Sequence, residues 1–241
     1  MTNTAVLNNV DHHDLKFIPP SAPTDADKVN QVLVFPTEFP EVQREFPIFF
    51  RKGQDGAFQP VALLGLDKDE NLFLGPKGWR TRYIPAIITR GPFLIGLPSP
   101  DNPQVQGQGA MIQVDLDDPR LSRTDGVPLF LPHGGNAPFL NQITGVLQLI
   151  HAGHQLMAPM FAAFEEAGLI EPVTVEINTS DTNKYVVPDM HTISAEAMSA
   201  LSAEQLKTLH DQGFLHLAYM VLSSTGNVSH LIDLKNMKQA G

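Results

Sequence analysis

FLNQITGVLQLIHAGHQLMAPMFAAFEEAGL, residues 139–169, decides the class of this fold. Its apolar residues Leu140, Ile143, Val146, Leu147, Ile150, Leu156, Met160, Phe161 and Phe164 fall largely at steps of three and four, the spacing of one α-helical stripe. Gly168 suits a C-terminal stop. Pro159 lacks an N–H and crowds the preceding turn, so a kink or a division is expected there. A long amphipathic helix needs another layer to cover its stripe, and the flanking sequence supplies candidates.

Upstream, VLVF (from Val32), PIFF (from Pro47), PVALL (from Pro60), NLFL (from Asn71), PFLIGL (from Pro92) and AMIQVDL (from Ala110) are short β-branched or aromatic runs. Gly, Pro, Asp and Asn separate them, which predicts strands joined as antiparallel hairpins. Leu66–Leu72, LDKDENL, reads as one of the turns, and residues 116–130 as a polar surface loop. Downstream, PVTVEIN (172–178) and KYVV (184–187) alternate well enough for a late hairpin across TSDTN. SAEAMSAL and SAEQLKTLH each open with a Ser able to cap a helix and a Glu in its first turn. FLHLAYMVL, from Phe214, reads as a further, largely buried helix. The expected class is α+β: a β-rich N-terminal half, then helices and a late β-hairpin. Residues 1–30, polar and proline-containing, read as a loosely attached arm, and 31–241 as a single domain.

The 241 residues carry a formal net charge of −10 and no cysteine. Disulfides, Cys-ligated metal and a thiol nucleophile are therefore excluded. An acidic surface disfavours phosphate backbones and anionic membranes, so no nucleic acid is expected as a partner. MTNTAVLNNVDHHDLKF has no cationic start followed by an apolar run, and no window has the roughly 20 apolar residues of a membrane helix. A cytoplasmic protein without membrane insertion is expected.

PKGWRTRYIPAIITRGPF, Pro76 to Phe93, runs against the rest of the chain. It holds the only tryptophan and Lys77, Arg80, Arg82 and Arg90, without an acid. In an extended conformation Arg80 and Arg82 share a face and alternate with Trp79 and Tyr83. Such a face suits bidentate recognition of a carboxylate or phosphate, with stacking on the indole. Arg90 joins them if Ile84–Thr89 makes a compact turn or short helix. The competing reading buries the aromatics in the core and pairs the arginines with Glu38, Glu41 or Glu45.

A second candidate is a metal site. His12 and Asp14 form H-x-D, two of the three ligands of a non-haem iron facial triad. The third ligand would come from His133, His151, His154 or His191. Against this stands a position in a polar arm rather than on a rigid strand. His151 and His154, at H-x-x-H spacing, share a helix face but lack a Glu-x-x-His partner. GPKG (from Gly75) and GQGA (from Gly107) match neither dinucleotide nor P-loop fingerprints. PHGGN around His133 has no G-x-S-x-G elbow to accompany it. The adjacent acids Asp117–Asp118 and Glu165–Glu166 point apart and read as solvated faces.

Several blocks in order resemble the bacterial SapC family: HHDLK (from His12), EFPEVQREFPIFF (38–50), QPVALLGLDKDENLF (59–73), WRTRYIP and AIITRGPF (from Trp79), FEEAGLIEP (164–172), DMHTISAEAMSALS (189–202) and FLHLAYMVLS (214–223). The resemblance covers nearly the whole chain. It implies an accessory protein serving an outer-membrane or surface-layer system, in the company of outer-membrane receptors, flavin-dependent halogenase-like proteins and cupin-like oxygenases. No catalytic residue comes with it. Relatives carry a second Arg and an aromatic where this chain has Thr89–Phe93, and a Tyr where it has His191. The expectation is a non-catalytic binding protein without a cofactor. It contacts a protein partner or an anionic small molecule or peptide through Trp79, Arg80, Arg82, Tyr83 and Arg90. The alternative is an iron-dependent oxygenase acting on a peptide or aromatic substrate, with His12, Asp14 and a distal His as its ligands.

Overall fold

The computed structural model of the chain describes residues 3–96, 111–180 and 183–240. Its strands are β1 (Thr4–Val6), β2 (Lys16–Phe17), β3 (Gln31–Leu33), β4 (Ile48–Lys52), β5 (Phe58–Leu63), β6 (Leu74–Gly75), β7 (Gly78–Trp79), β8 (Phe93–Gly96), β9 (Met111–Asp115), β10 (Leu121–Ser122), β11 (Val127–Pro128), β12 (Ile170–Ser180) and β13 (Asn183–Ile193). The helices are α1 (Phe39–Val42), α2 (Ala86–Thr89), α3 (Pro138–Glu166), α4 (Ala195–Ser199), α5 (Ala203–Asp211), α6 (Leu215–Ser224) and α7 (Asn227–Ala240). The class is α+β, with antiparallel sheets in the N-terminal half, then helices and a late hairpin. GQGA, from Gly107, lies outside the described residues.

The chain divides into two compact units: the described residues of Met1–Ala22 and Ala86–His151, and those of Pro23–Pro85 and Ala152–Gly241. In the first unit β1, β9 and β8 form one sheet and β10, β2 and β11 another. Leu15, Phe17, Phe93, Val114, Leu129, Leu140, Ile143 and Leu147 are buried together, and Phe17 stacks on Phe139 at 4.7 Å. Two short pieces of the stretch expected as an arm take part in these sheets. Thr4–Val6 pair with Gln113–Asp115, and Lys16–Phe17 pair on both sides. Isolated apolar residues in a polar stretch do this, and they carry no period to read.

The second unit is built on a five-stranded antiparallel sheet in the order β12-β13-β4-β5-β3. β4, β5 and β3 coincide with the expected runs because Ile48, Phe49, Phe50, Ala62 and Leu63 are almost wholly buried. The late hairpin is longer than its alternation predicted. β13 reaches Ile193 through Pro188 and through Asp189, which has a φ of 60°, and the register shifts between Val173 and Val175. Phe161 of α3 meets Phe50 edge-on at 4.9 Å.

α3 runs unbroken through Pro159. Its C-terminus is a Schellman motif: Leu169 N–H bonds Phe164 O at 2.9 Å and Gly168 N–H bonds Glu165 O at 3.0 Å. Gly168, at φ 67°, takes the left-handed position. Ser194 and Ser202 cap α4 and α5 as expected, the latter in a full capping box with Gln205. The sequence reading missed α7. Its inward positions include Leu231 and Lys235, four residues apart and both buried, so a lysine interrupts the apolar stripe.

α3 passes close to the second unit's Phe35–Thr37 at Gly153, where an added Cβ would lie 2.5 Å from both Phe35 Cβ and Thr37 Oγ1. At Gly145, in the same helix, it would meet nothing within 4 Å. Gly145→Ala is therefore expected to stabilise the chain by about 0.5–1 kcal/mol through helix propensity alone. Gly153→Ala should instead destabilise it by about 1–2 kcal/mol through overpacking. Urea unfolding checks the pair, and two changes of the same sign contradict the packing described.

Candidate functional site

The basic stretch begins in a hairpin. β6 and β7 are joined by Pro76–Lys77, with Leu74 opposite Trp79 and Gly75 opposite Gly78. GPKG is thus a turn, and Gly78 at φ 114° supplies the backbone that a side chain would strain. The chain then bends at Thr81–Arg82 instead of continuing as a strand. The alternation that would put Arg80 and Arg82 on one face is lost.

The aromatics of the stretch are tied inward. The Trp79 indole N–H donates to Asp27 Oδ1 at 2.7 Å, and its ring meets Phe46 edge-on at 6.2 Å. Asp27 is 8% exposed. Its other carboxylate oxygen accepts from Thr24 N–H at 2.7 Å and Thr24 Oγ1 at 2.6 Å, and its carbonyl accepts from Asn71 Nδ2 at 2.9 Å. The Tyr83 hydroxyl donates to Glu38 Oε2 at 2.7 Å. Glu38, 1% exposed, also accepts from Phe35 N–H at 2.8 Å. Burial first, and then the charge and hydrogen bond of Glu38, push the Tyr83 phenol well above its ordinary value. The phenol therefore stays protonated as a donor.

The arginines are arranged differently. Arg80 and Arg82 are exposed, and among the described residues neither guanidinium forms a salt bridge. Arg80 N–H bonds Phe73 O at 2.8 Å, and its side chain lies across Gly75, where an added Cβ would fall 2.7 Å from Arg80 Nε. Arg82 meets Glu45 through its backbone N–H, at 3.3 Å. Glu41 pairs with Arg44. Arg90, after the short helix α2, belongs to the first unit and donates through Nη1 to Phe93 O at 2.9 Å. Burial, then the charge of Arg120, pulls the Arg90 pKa down. Arg120 itself forms a two-pronged pair with Asp118, at 2.9 and 2.8 Å. Asp118 is consequently not the solvated acid that the sequence suggested.

The metal reading finds no assembled ligand set. His12 is buried and its Nδ1 accepts from Asn8 N–H at 3.2 Å, while Asp14 pairs with Arg123. Among the described residues no three His, Cys, Asp or Glu side chains stand close enough to share an ion. His133 and His154 are exposed, and His151 is half-buried. PHGGN forms a turn in which Gly134 and Gly135 have φ of 91° and 88°. His191 pairs with Phe50 in the sheet and meets Phe58 edge-on at 4.9 Å. Its Nδ1 is buried without a partner among the described residues, and burial, then the charge of Lys52, lowers its pKa.

Sequence reasoning missed an ion cluster beside the basic hairpin. Lys235 Nζ, buried on α7, donates to Glu70 Oε1 and Oε2 at 2.8 and 2.9 Å and also to Asp67. Lys238 Nζ reaches Glu70 Oε1 at 2.8 Å. The turn LDKDENL therefore holds the C-terminal helix. For Glu70 burial acts upward, but Lys235, Lys238 and the Leu66 and Asp67 N–H groups outweigh it and hold the carboxyl at about 2. Lys235 is likewise raised to about 12, its acidic partners outweighing burial. The one available signal was a lysine four residues after Leu231, at a core-facing step of the helix.

Fold and site together define an α+β protein carrying a basic surface whose aromatic residues are internal anchors. The family model for SapC matches residues 7–231, and the chain belongs to the SapC family. No curated protein and no solved structure matches it. No helix among the described residues is long and apolar enough to cross a membrane.

Removing one partner of a buried pair costs about 3–5 kcal/mol, so Lys235→Met should destabilise by that order. Glu70→Gln/Lys235→Met together should recover much of the loss. Glu70 has its pKa depressed from 4.5, so its contribution is complete above 4.5 and fades as pH falls toward about 2. The Lys235 pKa is raised from 10.5, so its contribution is complete below 10.5 and fades as pH rises through about 12. Thermal unfolding across pH checks this. Equal acid sensitivity in the native chain and the double variant contradicts it.

Proposed function

We propose that this SapC-family protein is a non-catalytic accessory protein of the cytoplasm that serves an outer-membrane or surface-layer system. It holds a protein partner or an anionic ligand through the basic segment around Arg80 and Arg82. The observation that carries this reading is the division of labour within residues 79–83. Trp79 and Tyr83 donate to buried carboxylates, while Arg80 and Arg82 remain exposed. Among the described residues neither guanidinium forms a salt bridge, in a chain of net charge −10. A guanidinium presents a planar fork of donors to a carboxylate or phosphate. Trp79 and Tyr83 then act as positioning residues, while Arg90 lies in the first unit, bonded to Phe93 O.

Affinity capture from the native host, at low salt where screening is weakest, tests this reading. Hydrogen bonds to charged groups contribute about 1.5–3 kcal/mol each, so Arg80→Ala/Arg82→Ala should reduce recovery of a stoichiometric partner at least tenfold while the chain stays folded. A partner retained equally by both forms, or no partner with either, contradicts the proposal.

A further inference from the structure

Beside the basic hairpin the second unit carries a groove of about 390 Å³ lined by Asn71, Leu72, Leu74, Arg80, Leu234, Met237 and Lys238. That is within the range of small-molecule sites. Its floor is aliphatic: Leu72 is buried, Leu74 and Leu234 are half-buried, and Met237 is 68% exposed. Its polar groups include two cations from separate elements. Arg80 comes from the end of the β6–β7 hairpin, with its side chain laid across Gly75. Lys238 comes from α7, 61% exposed at its side chain and fixed through one donor to Glu70 Oε1. An ammonium has three donors, so this contact does not exhaust it.

We infer that this groove binds an aliphatic carboxylate, its chain on Leu72, Leu74, Leu234 and Met237 and its carboxylate between Arg80 and Lys238. The inference rests on the reading of Arg80 as a contact residue and gives that residue a ligand class. Charge complementarity selects the head group: the groove has two cations and no acid among its lining residues, in a chain of net charge −10. The exposed thioether of Met237 and the leucine floor select the tail, because burying apolar surface of both partners is what favours a chain-bearing anion over a bare one. Glu70, outside the groove's lining, accepts from Lys238 and fixes it, which makes Glu70 a positioning residue.

Calorimetric titration of the full chain with decanoate, below the concentration at which it self-associates, tests the inference. The expected result is saturable binding of one decanoate per chain, much weaker binding of acetate, and none of decyltrimethylammonium. Arg80→Ala and Lys238→Ala should each weaken binding about tenfold or more, the effect of losing a charge-assisted hydrogen bond. Arg44→Ala, an exposed cation of the same unit that does not line the groove, should change it less than about twofold. Gly75→Ala keeps both charges but displaces the Arg80 side chain, so it too should weaken binding with the circular dichroism unchanged. No saturable decanoate binding, equal binding of the cationic amphiphile, or indifference to both Arg80→Ala and Lys238→Ala overturns the inference. Partner capture that depends on Arg80 and Arg82 while decanoate fails to bind removes the groove alone. Decanoate bound as described while capture ignores both arginines supports the groove and removes the partner reading.

Discussion

The hydrogen bond from the Trp79 indole to the buried carboxylate of Asp27 is the constraint on which the surface of this protein depends. A carboxylate that is 8% exposed needs its lone pairs filled, because an unsatisfied buried charge costs several kcal/mol. Three donors meet it: Trp79 Nε1, Thr24 N–H and Thr24 Oγ1. The same logic applies to Glu38, filled by Tyr83 and by Phe35 N–H. With Trp79 and Tyr83 committed inward, the residues between and beside them are presented outward. Arg80 and Arg82 are exposed as a consequence of where their neighbours are bound. An aromatic and cationic stretch thus has a structural half and a surface half, where composition alone suggests one combined patch.

A second charged assembly stabilises the same region from behind. Lys235 brings α7 onto the turn at Glu70 and Asp67, and the ring of Tyr185 lies 4.9 Å from its ammonium. Buried ion pairs are poor sources of net stability, but separating the partners leaves a buried charge unpaired, which disfavours a misplaced α7. α7 is polar over much of its surface, and among its described residues it buries Leu231 and Lys235.

Much of the fold was legible. The strands at 31–33, 48–52, 58–63, 93–96 and 111–115, the long helix and its glycine stop, and the two serine caps all follow from patterns that act locally. What escaped depends on partners distant in sequence. Lys16 and Phe17 make a strand only because residues 121–122 and 127–128 flank them. Lys235 is a core residue only because Glu70, 165 positions earlier, receives it. In the candidate site the sequence pointed to residues 79–90 but treated aromatic and cationic side chains alike. Of the acceptors that separate them, Asp27 stands in a segment with no motif of its own, and Glu38, at the head of EFPEVQREFPIFF, suggests from sequence an arginine partner where the structure gives it Tyr83. H-x-D at His12 shows the reverse case, a pattern with chemical meaning whose members bond elsewhere, His12 to Asn8 and Asp14 to Arg123.

Because Trp79 is the only tryptophan, its indole N–H gives a single resonance, and hydrogen exchange at that proton tests the central division directly. Both the native chain and the Arg80→Ala/Arg82→Ala variant should be measured. The account predicts exchange slowed by about two orders of magnitude or more relative to free indole, because the bond opens only with local unfolding. It also predicts the same protection in both chains, since the arginines take no part in the anchor. Exchange at the free-indole rate, or protection that disappears with the arginines, would contradict it.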